Sequence, residues 1–231
     1  MSNKFRLSSG GEINRTEIIS FKFNGKTFFG YKGDTLASAL LANGIHLVGR
    51  SFKYHRPRGF LGSGSEEPNA IVQVLKDEAR TEPNIRATEI EIFEGFEAKS
   101  QNCWPSVNFD VGAINNLFSP ILPAGFYYKT FMWPPKLWHT YEYFIRKAAG
   151  LGVSATKRDP DLYDHKYYHC DVLIIGSGPA GLTAATIAAE TGKKILLVDE
   201  RPEYGGSLVG SYNKFIKIDD KNPTEWINNT Y

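Results

Sequence analysis

Gly176-Ser177-Gly178-Pro179-Ala180-Gly181 follows directly on the apolar run Cys170-Asp171-Val172-Leu173-Ile174-Ile175 and leads into an Ala-rich stretch. Glycines at this spacing allow a tight strand-to-helix turn at Gly176 and close backbone approach to a pyrophosphate at Gly178. A third, Gly181, lets helix and strand pack together. The N–H groups and positive dipole end of the following helix would face the phosphates. About 20 residues on, Ile195-Leu196-Leu197-Val198 ends on Asp199, a carboxylate placed to accept hydrogen bonds from a ribose. The chemistry these residues point to is dinucleotide binding. A glycine turn without a ligand is the weaker alternative, because strand, helix and acid occur together.

The elements that must position this turn are legible around it. Cys170 to Ile175 reads as a buried parallel strand. Pro179 suits the first helical turn, where a missing N–H costs nothing, and the helix from Pro179 to Thr191 should stop at Gly192. Too few residues follow Glu200 to complete a nucleotide-binding sheet, so the chain is expected to be the front of a longer polypeptide. The pair Gly205-Gly206 also occurs in FAD sites of the disulfide-reductase type. Geometry alone therefore leaves NAD and FAD both open.

Composition narrows the classes. A net charge of +2 in 231 residues gives no argument for nucleic acid or a membrane surface. No N-terminal stretch reads as a secretory signal and no apolar run is long enough to span a bilayer, so a cytoplasmic location is the expectation. The two cysteines, Cys103 and Cys170, are too few for a disulfide framework, and Cys170 is read as core.

Three segments are expected: residues 1–100, 101–168 and 169–231. In the first, Ile18 to Phe23 and Lys26 to Gly30 read as strands joined by the hairpin signal Asn24-Gly25. Asp34 or Thr35 can cap a helix from Leu36 to Asn43 that stops at Gly44. Further strands are expected over Ala70 to Leu75 and Thr88 to Phe93. This order is that of the β-grasp fold of plant-type ferredoxins, whose [2Fe–2S] cluster is held by cysteine thiolates in the loop after the helix. Here that loop, Gly49 to Gly64, contains no cysteine. The expected fold is thus α+β followed by α/β: a β-grasp, ferredoxin-like domain with no iron–sulfur cluster, then the start of a Rossmann-like dinucleotide-binding domain.

The same loop interleaves Arg50, Lys53, Arg56 and Arg58 with Phe52, Tyr54 and His55. Basic and aromatic alternation can bind single-stranded nucleic acid. Without a basic excess elsewhere, interdomain contacts, toward the anionic cofactor or toward Ser65-Glu66-Glu67-Pro68, are the preferred reading. His55 has no second His or Cys at metal-ligand spacing and reads as a packing or hydrogen-bonding residue. From Ser100 to Lys166 aromatics and prolines crowd together, as in Phe126-Tyr127-Tyr128 and Phe131-Met132-Trp133-Pro134-Pro135. Such an arm should wrap over its own domains or a partner subunit. Within it, Tyr141 to Ala149 can form a short helix ending at Gly150.

Arg50-Ser51-Phe52-Lys53-Tyr54-His55-Arg56-Pro57-Arg58-Gly59, with Glu66-Glu67-Pro68-Asn69-Ala70, resembles the signature of the α subunit of heterotetrameric sarcosine oxidases. Trp104-Pro105-Ser106, Phe109 to Ala113 and Pro123 to Pro134 are similar to the same family. The likeness continues through the glycine turn to Gly205-Gly206. Subunits of opine oxidases and hydrogen cyanide synthases are similar in the ferredoxin-like and dinucleotide parts, but the long aromatic arm favours the sarcosine oxidases. A freestanding ferredoxin-like adaptor and an FAD-dependent reductase stay open beside them.

The resemblance implies a division of labour. The α subunit would bind NAD, the β subunit would hold FAD and oxidise the amine, and FMN between them would pass electrons to oxygen. γ and δ subunits would complete the heterotetramer, and a further part of α would handle tetrahydrofolate. The reaction implied converts sarcosine to glycine, hydrogen peroxide and formaldehyde or methylenetetrahydrofolate. Carried over to this sequence, the NAD contacts are Gly176, Gly178, Ala180 and Gly181 at the turn, Asp199, Glu200 and Arg201 at the strand end, and Ser207. The two acids suit ribose hydroxyls and would repel a 2′-phosphate; Arg201 is either an exposed structural arginine or a partner for one. No catalytic residue and no metal ligand is expected in this chain.

Overall fold

The computed structural model describes residues 5–10, 13–122, 125, 131–201, 203–209 and 216–230. Pro123, Ala124 and the run from Phe126 to Thr130, part of the expected aromatic arm, lie outside the described residues. The chain divides into two compact units, Met1–Ser8 with Glu12–Pro160, and Ser9–Gly11 with Asp161–Tyr231.

In the first unit, β1 (Asn14–Phe23) and β2 (Lys26–Lys32) form an antiparallel hairpin with Phe21 opposite Phe28 and Phe23 opposite Lys26. Asn24 and Gly25 both have positive φ, 51° and 73°, as a two-residue hairpin turn with matching right-handed twist demands. Helix α1 (Leu36–Ala42) follows. Of its two candidate caps Thr35 does the capping, its side chain accepting from Ser38 N. Asp34 is fully buried and paired instead with Arg6, at 2.9 and 2.6 Å, while also accepting from Tyr31 N and Ser38 Oγ.

After α1 come a short ribbon of β3 (Gly49–Arg50) with β4 (Pro57–Arg58), then β5 (Ile71–Leu75), β6 (Glu82–Arg86) and β7 (Phe96–Ser100). The main sheet runs β2-β1-β7-β5-β6, with β1 and β7 parallel and the other pairs antiparallel. Phe21, Phe23, Leu36, Leu40, Val72, Val74, Ile92 and Phe96 make its core. The strand expected over Thr88 to Phe93 is not one. Thr88 and Glu89 form a turn, Glu91 makes only an isolated bridge to Thr35, and the carbonyls here serve the helix, Ile90 O accepting from Leu36 N and Ala87 O from Ala37 N. These bonds satisfy the donors that a helix N-terminus leaves open. The pairing goes to β6, an edge strand, which is where Pro83 is tolerated.

The segment after Gln101 folds onto this unit through the 3-10 turns Val111–Asn116, Ser119–Ile121 and Pro135–Leu137, and through α2 (Trp138–Ala149). The helix starts a turn earlier than Tyr141 and ends at Gly150, whose φ of 67° terminates it. Asn102 N donates to Gly150 O, and Gln73 exchanges hydrogen bonds with both backbone groups of Val153.

In the second unit β8 (Val172–Ile175) pairs in parallel with β9 (Ile195–Val198), and α3 (Pro179–Ala189) connects them. The helix α4 (Pro223–Thr230) packs on α3 and buries Trp226. β8 is parallel as expected but not buried on both faces. Leu173 is 53% and Ile175 80% exposed, because among the described residues α3 covers only the face carrying Val172 and Ile174. Cys170 precedes β8 and is half-buried rather than core. No helix among the described residues is long and apolar enough to cross a membrane.

Candidate functional site

The turn between β8 and α3 is built by the glycines, each in a different way. Gly176 has φ +97°, a conformation a side chain would strain, and its N–H donates to Val198 O, joining the turn to β9. A Cβ on Gly181 would overlap Gly176 O, so this position sets how closely α3 rides on β8. Gly178 has an ordinary φ of −68°, and a Cβ there would meet nothing within 4 Å. Its lack of a side chain serves neither conformation nor packing; it keeps space open in front of the helix. Gly178 is the N-cap of α3, Pro179 follows, and no side chain caps the first turn. The N–H groups of Ala180 and Gly181 belong to that turn, whose donors an α-helix does not use internally. Open space before uncapped donors and a positive dipole end is what a phosphate needs.

Asp199 sits just past β9 and reaches back to the turn. Its Oδ2 accepts from the backbone N–H and the hydroxyl of Ser177, the latter at 2.8 Å, and its Oδ1 accepts from Arg201 N at 2.9 Å. The Ser177 N–H, the Arg201 N–H and the Ser177 hydroxyl, in that order, hold the carboxyl down at about 2. An ionised carboxylate offers about four acceptor positions. Three are used, so Oδ1 retains one for a ribose hydroxyl without breaking an existing bond. Glu200 is exposed next to it, and Arg201 contributes its backbone N–H here.

The Gly205-Gly206 pair closes over the same turn. Gly205 N donates to Ser177 O at 2.9 Å, and a Cβ on Gly206 would lie 2.9 Å from the Cα of Gly178. Ser207 follows, exposed, at the start of a 3-10 turn. Gly176, Gly178, Ala180, Gly181, Asp199, Arg201 and Gly206 are thus gathered at one end of the two-stranded sheet. The residue that motif reasoning passed over is Ser177, fully buried and the partner of both Asp199 and Gly205. A small hydroxyl residue between the two glycines was the available signal.

The loop of the first unit is organised by carboxylates. Glu67 is 1% exposed and accepts four backbone N–H groups, from Leu61 and Gly62 at 2.6 Å, Asn69 at 2.7 Å and Ala70 at 3.2 Å. Burial pushes its carboxyl up, but these bonds outweigh it and leave the group below the usual carboxylate range. Glu66 accepts from Ser63 and Gly64. Arg50 directs its guanidinium to the carbonyls of Val107, Asn108 and His55. His55 is buried, with Nδ1 2.6 Å from Asp110 Oδ2 and Nε2 2.9 Å from Ala148 O. It ties the loop to the arm and to α2. Among the described residues no three His, Cys, Asp or Glu side chains gather as a metal site.

Residues 16–103 match the model of the 2Fe-2S iron-sulfur cluster binding domain family, and residues 171–228 that of FAD dependent oxidoreductases. The chain is 56% identical over 208 residues to the sarcosine oxidase subunit alpha of Rhizobium meliloti, covering 90% of this chain and 21% of that protein. To the subunit alpha of Corynebacterium sp. (strain U-96) it is 34% identical over 233 residues, covering 98% and 19%. The chain is a homologue of sarcosine oxidase α subunits. It spans about a fifth of their length. The crystal structure of L-proline dehydrogenase from P. horikoshii superimposes with a TM-score of 0.49 and 19% identity, over 94% of this chain and 31% of that one.

This homologue does not carry the ligands that the first family is named for. Cys103 is the one cysteine between residues 16 and 103, whereas a [2Fe–2S] cluster takes four thiolates. Burial, then the nearby Asp110 carboxylate, push the Cys103 thiol up, against a smaller opposing effect of Arg50. A protonated thiol is a poor metal ligand. The residues present do not fit the cluster.

Proposed function

We propose that this chain is the N-terminal part of the NAD-binding α subunit of a heterotetrameric sarcosine oxidase, acting as a cofactor-binding and scaffolding section rather than as the site of amine oxidation. The observation that carries the reading is 56% identity to a sarcosine oxidase α subunit across 208 residues, running through both compact units. In this reading the first unit is a β-grasp domain that has lost its cluster, supported by the hairpin–helix order, the mixed sheet and the Glu67-centred loop. The second is the opening of a Rossmann-like domain, supported by the parallel pair β8 and β9 joined through α3.

Within that domain, the N–H groups of Ala180 and Gly181 would hold the pyrophosphate in the space before Gly178. The free acceptor position on Asp199 Oδ1, with Glu200 beside it, would take the adenosine ribose, and Arg201 and Ser207 would flank it. Two adjacent carboxylates favour a bare ribose over a 2′-phosphate, hence NAD over NADP. A bound nicotinamide dinucleotide supplies a hydride-accepting ring, and this chain's residues bind and orient its adenosine half. Oxidation of sarcosine to glycine would fall to FAD on the β subunit, with FMN delivering electrons to oxygen and tetrahydrofolate taking the one-carbon unit elsewhere in α. The complete enzyme would contain β, γ and δ subunits and work in the cytoplasm.

A second reading places FAD in the turn, favoured by the match of residues 171–228 to FAD dependent oxidoreductases and by Gly205-Gly206. Acid extraction of nucleotide from the purified full-length protein, followed by mass identification, separates the two. NAD at one per α chain, with sarcosine-dependent peroxide release from the assembled enzyme, is the expected result. FAD in its place would select the second reading, and no bound nucleotide would overturn both.

A further inference from the structure

We propose that an open groove on the first unit, between residues 52–54, the turns at 115–122 and α2, seats a second, non-identical protein chain with an apolar contact segment and an acidic rim. This inference rests on the reading above, in which the chain belongs to a multi-subunit enzyme. The groove holds about 410 Å³ and its floor is apolar, built from Phe52, Leu122, Phe131, Tyr141, Phe144 and Ile145. Phe144 is 63% exposed. Along the chain beside the groove, Leu117, Ile121 and Trp133 are 76%, 68% and 78% exposed. Large apolar side chains concentrated in this way mark an interaction surface, and they extend beyond what a small ligand filling the groove would cover.

The charges around the groove say what kind of partner fits. Lys53 and Arg56 lie over the ring of Tyr54, at 4.9 and 4.7 Å, and Lys147 lies over Tyr143 at 4.6 Å. Each cation is thereby held by an aromatic face; Lys53 itself lines the groove, and Lys147 precedes the lining residue Ala148. Residues 49–64 contain no acid, and residues 104–150 contain two, Asp110 and Glu142. Asp110 is buried against His55, and Glu142 is paired with Arg146 at 3.2 Å. The rim is therefore cationic. A second copy of this chain docked symmetrically would set these cations against their own equivalents, which costs affinity. Single-stranded nucleic acid would need stacking platforms, but Tyr54 is covered by two cations and its hydroxyl is bonded to Leu122 O at 2.5 Å. An apolar segment flanked by carboxylates satisfies both the floor and the rim.

The test uses the full-length α chain produced together with its partner subunits. Phe144→Asp places a charge on the groove floor at an exposed position. It should weaken subunit association about tenfold or more, as loss of an interface anchor does, while bound nucleotide and melting temperature stay at wild-type values. Lys147→Glu should weaken association less, and the deficit should shrink as salt rises from about 50 to about 500 mM. Undiminished assembly in both variants would overturn the proposal. So would a wild-type α chain that sediments as a homo-oligomer broken by Phe144→Asp, or that retains nucleic acid lost in Lys147→Glu. Wild-type enzyme that assembles and turns over sarcosine, with variants that assemble equally well, would sink this inference alone. A wild-type chain that joins no second subunit would sink the proposed function with it.

Discussion

Ser177 gives both its backbone N–H and its hydroxyl to one oxygen of Asp199, locking the strand-end acid onto the glycine turn from across the second unit's small sheet. The bond pair fixes the carboxylate of Asp199, and with it the direction of its remaining acceptor position. Holding the carboxyl at about 2 has a definite pH consequence. A group whose folded value is depressed stabilises the fold above its ordinary value of 3.8 and loses that contribution as pH falls toward about 2. In the full-length protein, nucleotide retention of the wild type should fall through this window. In Asp199→Asn retention should already be reduced at neutral pH and lack that acid step. Ser177→Ala removes one of the three donors and should shift the step to higher pH. Bound nucleotide measured against pH in the three proteins checks it; identical profiles would disconnect Asp199 from the ligand.

Gly178 and Gly181 should fail in opposite ways. A Cβ on Gly178 meets nothing, so Gly178→Leu should keep the melting temperature of the wild type while eliminating bound nucleotide, its side chain occupying the phosphate space. Gly181→Ala puts a methyl group against the Gly176 carbonyl. It should cost stability by about 1–3 kcal/mol, the range of forced overpacking. Melting curves and extracted nucleotide on the same preparations decide it. Full nucleotide occupancy in Gly178→Leu would move the site elsewhere.

What could be read in the sequence, and what could not, follows from the range of the interactions involved. The Asn24-Gly25 hairpin, α1 and the strand–turn–helix at Gly176 are dictated by neighbours in the chain, and the structure places each of them. Residues 88–93 read as a strand because β-branched Thr88, Ile90 and Ile92 alternate with Glu89 and Glu91. Their carbonyl at Ile90 is instead drawn to the open donors of α1, more than fifty positions away, which no local pattern encodes. That His55 makes hydrogen bonds was legible, but its partners, like the role of Glu67, were hidden for the same reason. His55 meets Asp110 and Ala148 only after the arm folds back, and Glu67 works through backbone N–H groups, which leave no side-chain signature.

The carboxylate of Glu67 gathers four backbone N–H groups of its loop around one centre. Glu67→Gln keeps the shape but offers an NH₂ group to two of the four donors, leaving buried N–H groups without acceptors. Roughly 2–6 kcal/mol of stability should be lost, from the 1–3 kcal/mol typical of each of two unsatisfied buried groups. Because the folded carboxyl lies below its ordinary 4.5, the wild-type advantage should be complete above that pH and decline as acid protonates it. Thermal melting of both proteins across the acid range measures this. An unchanged melting temperature would mean that the loop does not depend on the charge.

The same loop decides the fate of iron. Residues 49–64 are cysteine-free, and Cys103, the one cysteine in the matched region, has its thiol pushed up by burial. Four Fe–S bonds cannot be made from serine, histidine and one protonated thiol at this spacing. Full-length protein reconstituted anaerobically with iron and sulfide should therefore show no visible charge-transfer absorption of a [2Fe–2S] centre in this domain. Cys103→Ser should leave both the spectrum and the iron content unchanged. Stoichiometric iron and acid-labile sulfide that disappear in Cys103→Ser would mean that this domain assembles a cluster around a ligand set the loop does not reveal.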